Sequence, residues 1–308
     1  YRANIGGTIL FEVEDYKPYE IKRGNDKVVV FDFYDNLEFR DNIKEYEKKF
    51  DEKIEILFIN DSPGDALEKE FLKEISGYYR IIENNKNYGI HKTRVNGICE
   101  ASQEYIWMLD QDDIVSERWL LSQFECIQKY KTDMVIANGK RQISGKDYPI
   151  FKNDKTLKDA TTIAPYVAFG NVIASPGQCL IRKSAIPVFW MENILWENCA
   201  DDMYLWMLMF GEKLNISYNP EYLYTHVSTG ENFSSNEKQT IYSEYKVIDL
   251  LRKAGGIKEW YLRFYAERLK IRNRYFFEIK KKWMSQIYYV VTEIIKILVF
   301  WLVKYFKI

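Results

Sequence analysis

Three carboxylates stand within four positions at the end of an apolar run, Trp107-Met-Leu-Asp-Gln-Asp-Asp113. Asp110, Asp112 and Asp113 repel one another unless a cation or a donor-rich ligand compensates them. Hard carboxylate oxygens suit Mg²⁺ or Mn²⁺, and a histidine ligand tilts the choice toward Mn²⁺. Taken alone, the cluster also suits an acidic turn in which Asp113 or Ser116 caps the next helix. A second acidic pair, Asp201-Asp202, opens a stretch with apolar residues at helical spacing. One of the two could cap that helix while the other serves as a general base. The chain has only two histidines. His226, after Tyr222-x-Tyr224 and before Ser228-Thr-Gly230, is either a metal ligand or a hydrogen-bonded histidine, and His91 is read as a loop residue. Cys99, Cys126, Cys179 and Cys199 form no C-x-x-C pair, so neither a zinc site nor a disulfide framework is expected of them, and they read as free thiols.

The elements that must position these groups alternate in type. Lys27 to Tyr34 and Glu55 to Ile59 read as buried parallel strands, with a charged helical stretch over 37–50 between them. The turn-forming Asn60-Asp61-Ser62-Pro63-Gly64 follows, then a helix over 65–76, a strand over 79–83, a helix over 90–103 and the strand Tyr105 to Leu109. This alternation predicts a parallel sheet covered by helices, with ligands at the carboxyl ends of the strands. Beyond it, 133–137 and 178–182 read as strands and 202–210 as a helix. The division expected is a 27–250 domain, preceded by 1–26 of unassigned role and followed by a basic helical tail over 251–308.

Composition places the chain among ordinary globular proteins, with 47% hydrophobic and 29% charged residues. The net charge of −1 conceals an asymmetry: residues 252–308 hold 14 Lys/Arg against four acids. From Ile287 to Val303 the tail is almost wholly apolar, broken by Glu293 and Lys296. On a helix, Lys282, Gln286, Glu293, Lys296, Lys304 and Lys307 fall in one stripe, which disfavours a spanning helix and favours one lying in a membrane surface, with the basic residues of 258–308 on anionic head groups. Packing on another subunit, as in a homo-oligomer, would bury the same face. Nucleic acid is not expected, because an apolar segment beside the basic run fits lipid better than a phosphate backbone.

The polar residues occur in a telling order. Asp61 follows a strand, Asn87-x-Gly89 and Arg94-x-Asn96-Gly97 flank the start of the next helix, and Asp110-x-Asp112 ends the following strand. The stretch Val28–Asp113 thereby resembles the nucleotide-binding half of glycosyltransferase family 2. The resemblance continues through Ser175-Pro-Gly-Gln-Cys-Leu-Ile-Arg182, Asn198-Cys-Ala-Asp-Asp-Met-Tyr-Leu-Trp206 and Tyr222-x-Tyr224-x-His226, covering roughly 27–235. Two departures stand out: Phe31-Asp-Phe-Tyr-Asp-Asn36 replaces a proline-containing turn, and Asp201-Asp202 replaces a pair that usually begins with Glu.

The resemblance implies the α/β GT-A fold, a Rossmann-like nucleotide-binding sheet with a fused acceptor region, here followed by C-terminal amphipathic helices. It implies an inverting, metal-dependent hexosyltransferase using a nucleotide-sugar, by default a UDP-sugar, with Mn²⁺ or Mg²⁺. Asp112 would be the primary metal ligand, Asp110 would meet the ribose or the metal-bound phosphate, and His226 would return to the metal. Asp61 would bond the pyrimidine or ribose, with Asn87 and Arg94 on the donor side and Gly177 allowing backbone approach to the sugar; Asp61 could equally form an Asx-turn, and Gly177 could serve only its turn. Asp202, or secondarily Asp201, would be the base that activates the acceptor hydroxyl. With the tail, the resemblance points to a glycan or lipid-linked acceptor of cell-surface polysaccharide synthesis at the cytoplasmic side of the membrane. A glycoside hydrolase using Asp112 and Asp202 would leave the N-x-G and R-x-N-G series without purpose. A sugar-1-phosphate nucleotidyltransferase lacks its Gly-rich signature loop here. A non-catalytic nucleotide-sugar or membrane-binding module is the remaining alternative.

Overall fold

Strand-forming runs with no polar interruption must be covered on both faces, and this chain covers them with helices on either side of one mixed sheet. In the computed structural model, residues 7–13, 20–23, 26–29, 54–62, 79–110, 113–228, 236–279 and 282–306 are described. In chain order the strands are β1 Gly7–Val13, β2 Glu20–Arg23, β3 Asp26–Val29, β4 Ile54–Asn60, β5 Tyr79–Glu83, β6 Tyr105–Asp110, β7 Ile114–Val115, β8 Met134–Ile143, β9 Lys146–Pro149, β10 Cys179–Arg182 and β11 Ile216–Ser228. The helices are α1 Ile90–Glu100, α2 Trp119–Tyr130, α3 Asp154–Asp159, α4 Ile163–Phe169, α5 Val188–Glu192, α6 Asp201–Gly211, α7 Glu237–Ala254, α8 Glu259–Asn273 and α9 Lys282–Phe306.

The main sheet runs β5-β4-β1-β6-β10-β8-β11-β7, with β9 paired to β8. Its first four strands are parallel, and β10 enters antiparallel between β6 and β8. The carboxyl ends of β4 and β6 therefore open on one edge, where Asp61 and Asp110 stand. Alternate side chains feed two cores. Leu57, Ile59, Ile106 and Met108 pack with α1, α6 and α7. Ile56, Phe58, Trp107 and Leu109 pack with α2, where Trp107 and Trp119 stack at 3.7 Å. Met203 to Met209 of α6 are buried on every side, so this helix is an internal layer rather than an amphipathic cover.

The strand expected over 27–34 needs correction. Among the described residues Asp26–Val29 pairs with Glu20–Arg23, in a separate two-stranded sheet. The place between β4 and β6 belongs to Gly7–Val13, in register from Gly7 opposite Ile54 and Tyr105. Residues before 27 thus include a sheet strand. The Gly7–Val13 segment is another short apolar run, and run length alone does not decide which run takes the central place. The helices expected over 37–50 and 65–76, the turn at 31–36 and Asp112 lie outside the described residues.

The tail is helical as expected, with a π-turn at Arg274–Glu278 joining α8 to α9. Along α9, Val299 and Val303 are buried, Phe300 meets Phe169 of α4 at 5.6 Å, and Lys304 pairs with Asp159. Two members of the polar stripe have acidic partners: Lys304 pairs with Asp159, and Lys296 bonds Glu293 at 2.6 Å. Val290, Val291, Ile294, Ile297, Leu298, Trp301 and Leu302 turn outward and are exposed. No helix among the described residues is long and apolar enough to cross a membrane.

Candidate active site

Arg94, on α1, holds the site together. It is buried, and its Nη2 donates to Asp110 Oδ1 at 2.7 Å while its Nη1 donates to Asp201 Oδ2 at 2.7 Å. The strand end and the start of α6 are thus clamped through one guanidinium, whose planar fork suits two carboxylates at once. The second Asp110 oxygen accepts from Ser175 Oγ at 2.8 Å, which ties in the Ser175-Pro-Gly loop. Arg94 was expected to offer its charge to the donor; its charge is engaged by protein carboxylates. Neither member of the Asp201-Asp202 pair is the N-cap, which is Ala200 and makes no side-chain bond.

Asp202, the next residue, is partly exposed. Its Oδ2 accepts from Asn171 Nδ2 at 2.6 Å and its Oδ1 from the Met203 amide at 2.6 Å. Its pKa is pushed up to about 7, first by burial and then by the charge of Asp201, against the pull of Arg94. A carboxyl titrating near neutrality is suited to take a proton at working pH.

Asp113, read from sequence as part of the acidic cluster or as a cap, is a fourth carboxylate of the site. It is buried, accepts from the Tyr224 hydroxyl, and meets His226 Nδ1 at 2.9 Å. Burial raises its pKa, opposed by the bond and charge of His226. With the Nδ1–H on Asp113, Nε2 carries the lone pair, the arrangement by which a carboxylate orients a metal-binding histidine. A histidine so oriented is a ligand type that a divalent cation accepts. No group of three metal-capable side chains is found among the described residues, which do not include Asp112.

Asp61 faces the protein. It is fully buried, and it accepts from Asn84 Nδ2 at 2.7 Å, the Tyr88 amide at 2.8 Å and the Gly89 amide at 2.8 Å. These bonds shape the N-x-G loop, in which exposed Asn87 accepts from the Gly89 amide at 3.1 Å. Gly89 has φ +78°, and a Cβ there would meet Asn198 Oδ1 at 3.0 Å; this oxygen also takes the Ile90 amide at the start of α1. The 198–206 segment and the N-x-G loop thus fit against each other. At Gly177 a Cβ would meet the Tyr224 ring at 2.8 Å and Leu109 at 3.0 Å, so close packing by itself calls for glycine there.

His91 is not in a loop. It lies buried in α1, where Nδ1 accepts from the Leu195 amide at 2.8 Å and the ring packs 4.1 Å from Trp190. Burial lowers its pKa to about 4, so it is a neutral core residue. Its packing partners come from far along the chain, which is why its neighbours in sequence gave no hint of it.

The structure brings Arg94, Asp110, Asp201, Asp202, Ser175, Asp113 and His226 to one end of the sheet, with Asp61 after β4 and Asn87 after β5 on adjoining loops. The family model for Glycosyl transferase family 2 matches residues 37–189. No curated protein matches the chain in sequence. Among solved structures, S. aureus TarS 1–349 is similar at TM-score 0.55 and 14% identity, over 94% of this chain and 79% of that one. The same TarS portion in complex with UDP-GlcNAc gives 0.55 and 14% over the same shares. Its complex with UDP gives a TM-score of 0.53 at 15% identity, again over 94% and 79%. Likeness at such identity speaks for the fold, and the family match speaks for descent. The family match places this chain in glycosyl transferase family 2, and the structural likeness gives it a GT-A-like fold.

Proposed function

We propose that the chain transfers a hexose from a UDP-sugar, with inversion, to a glycan or lipid-linked glycan acceptor. The observation that carries this reading is the Arg94 clamp, which sets Asp110 on the donor side next to Asp201-Asp202 on the acceptor side. Expulsion of a nucleoside diphosphate places negative charge on phosphate oxygens. Asp112 and His226 would hold a divalent cation that neutralises this charge when bound. Asp110, steadied by Arg94 and Ser175, would meet the ribose or a phosphate of the donor. Asp61 acts by fixing the loop that carries Asn87, so the base is met by that loop. Asp202 takes the proton of the acceptor hydroxyl, and a single base with direct displacement inverts the anomeric carbon. The S. aureus TarS complexes with UDP and UDP-GlcNAc support UDP as the nucleotide to test first.

Isothermal titration of UDP, dTDP and GDP with Mn²⁺, and again with EDTA, tests the donor site. One nucleotide is expected to bind with metal, to weaken at least about tenfold in EDTA, and to lose its metal-dependent binding in Asp112→Ala. A folded protein that binds none of the three refutes the donor assignment.

The outward face of α9 supports a lipid surface as the place of work. Its exposed Ile, Val, Leu and Trp side chains adjoin a strongly basic segment, in which Arg263, Lys270 and Arg274 are 76%, 63% and 64% exposed. Apolar burial and attraction to anionic head groups act together in such a helix. Co-sedimentation with phosphatidylglycerol vesicles is expected to exceed that with phosphatidylcholine vesicles. The double variant Ile294→Asp, Leu298→Asp should lose at least about tenfold of this binding. Equal retention of the unmodified chain and the double variant, or a concentration-dependent dimer that the double variant dissolves, would assign the face to something other than lipid.

A further inference from the structure

Asp202 is held by a side chain that lies outside every motif segment read in the sequence. Asn171 follows the C-cap of α4 and donates Nδ2 to Asp202 Oδ2 at 2.6 Å, while its own Oδ1 is buried without a hydrogen-bond partner. Reversing the amide would set its oxygen against a carboxylate oxygen, so the charged form of Asp202 fixes the amide in the sense seen. What aims Asn171 is the turn before it. Gly170 has φ +100°, a conformation that side chains rarely adopt, and a Cβ there would lie 2.6 Å from Arg268 Nη1. Arg268 is itself immobilised: it is buried, pairs with buried Glu244, and stacks on the Tyr265 ring at 4.7 Å. Glu244 also accepts from Arg272 Nη1 at 2.8 Å, so the α7–α8 ion pairs form a floor beneath the turn.

We propose that Asn171 is a positioning residue that holds the Asp202 carboxylate by donating to its ionised form, and that Gly170 over the Arg268–Glu244 pair fixes Asn171 in place. The inference rests on Asp202 being the base of the transfer reaction. The other groups around Asp202 are Asp201, whose charge opposes its ionisation, and Arg94, whose charge favours it. Tyr166 of α4 and Cys179 of β10 also face it, and burial keeps both protonated. Within this set, Asn171 is the neutral donor whose removal should be felt by Asp202 alone.

The test is a carboxyl-carbon NMR titration of the full chain labelled at aspartate, with the Asp202 resonance assigned by its absence from Asp202→Asn. Loss of a donor to an anion disfavours the anion, so Asn171→Ala should raise the Asp202 pKa by about one unit. Asn171→Asp has the same shape and adds a like charge, so it should raise the pKa further and remains decisive if the alanine variant fails to fold. Gly170→Ala, which displaces the turn, should shift Asp202 in the same direction. Where transfer can be assayed, the acidic limb of kcat/KM should move to higher pH by the same amount, whereas a merely structural loss would lower the rate equally at every pH. An Asp202 titration unchanged in Asn171→Asp, with the other aspartate signals preserved, overturns the role of Asn171. The titration needs no substrate, so that result is distinct from an Asp202→Asn protein that still transfers sugar, which would overturn the base assignment.

Discussion

Asp202→Asn is expected to lower kcat by about 10²- to 10⁴-fold while leaving metal-dependent nucleotide binding intact, because a general base contributes about that factor and the donor is held elsewhere. The amide keeps the shape of the carboxylate; its oxygen can accept from the Met203 amide and, with the Asn171 amide reversed, its NH2 can donate to Asn171 Oδ1, so the loss reads out proton abstraction rather than collapse of the site. The wild-type protein should show the complementary pH dependence. The base works only when ionised, and with a pKa of about 7 the value of kcat/KM should fall tenfold per unit as pH drops below that point. Stability should run the other way. A carboxyl whose folded pKa lies above its unfolded value of about 3.9 binds more protons when folded, so its contribution is greatest at low pH and is lost as pH rises through about 7. Asp202→Asn should therefore melt no lower than wild type at pH 8, the behaviour of a residue kept for chemistry at some cost in stability. Rate measurements across pH 5.5 to 9 on both proteins check each statement. A wild-type profile flat through neutrality, or an asparagine variant within a few-fold of wild type, would remove Asp202 from the mechanism.

Why some of this was legible in the sequence and some was not follows from how far apart the deciding contacts lie. Tyr105 to Leu109 could be read as a buried strand because every member is apolar and the run ends abruptly in carboxylates; all five side chains are buried. Helix α6 showed itself by its period and its acidic start. The first sheet strand did not, because 7–13 and 27–33 are both short apolar runs and only pairing with β4 and β6 separates them. The motif residues were found by order and type, yet their partners were hidden. Asp61 looks outward in sequence, after a strand and within a turn, and is in fact enclosed by Asn84, Tyr88 and Gly89. Gly177 could be assigned to a turn, whereas the Tyr224 ring that fills the space of its missing side chain comes from a strand across the sheet. Asp113 carried the signal of a cap and no sign of the His226 it orients.

Arg94 is where this difference matters most for energetics. Replacing it with Met should destabilise the fold by about 3–5 kcal/mol, because two carboxylates would be left at the strand end and helix start without their shared cation. The side chains of Arg94 and Asp201 are only 8% and 5% exposed, so little solvent is at hand to take over. Asp110, at 29%, can be partly rehydrated, which draws the expected loss toward the lower figure. Urea unfolding of the full chain should show the midpoint fall with the slope unchanged. The pairing makes a sharper prediction than the loss itself. If the cost of Arg94→Met is mainly the stranded charge of Asp201, then Asp201→Asn introduced alongside it should recover part of the stability, although Asp201→Asn alone destabilises. Additive losses in the double variant would mean that the two groups do not share a buried bond. Donor and acceptor functions should respond together in Arg94→Met, since one guanidinium fixes Asp110 on one side and the Asp201-Asp202 pair on the other. A variant that loses nucleotide binding while keeping the Asp202 titration, or the reverse, would show that the two halves of the site are positioned independently.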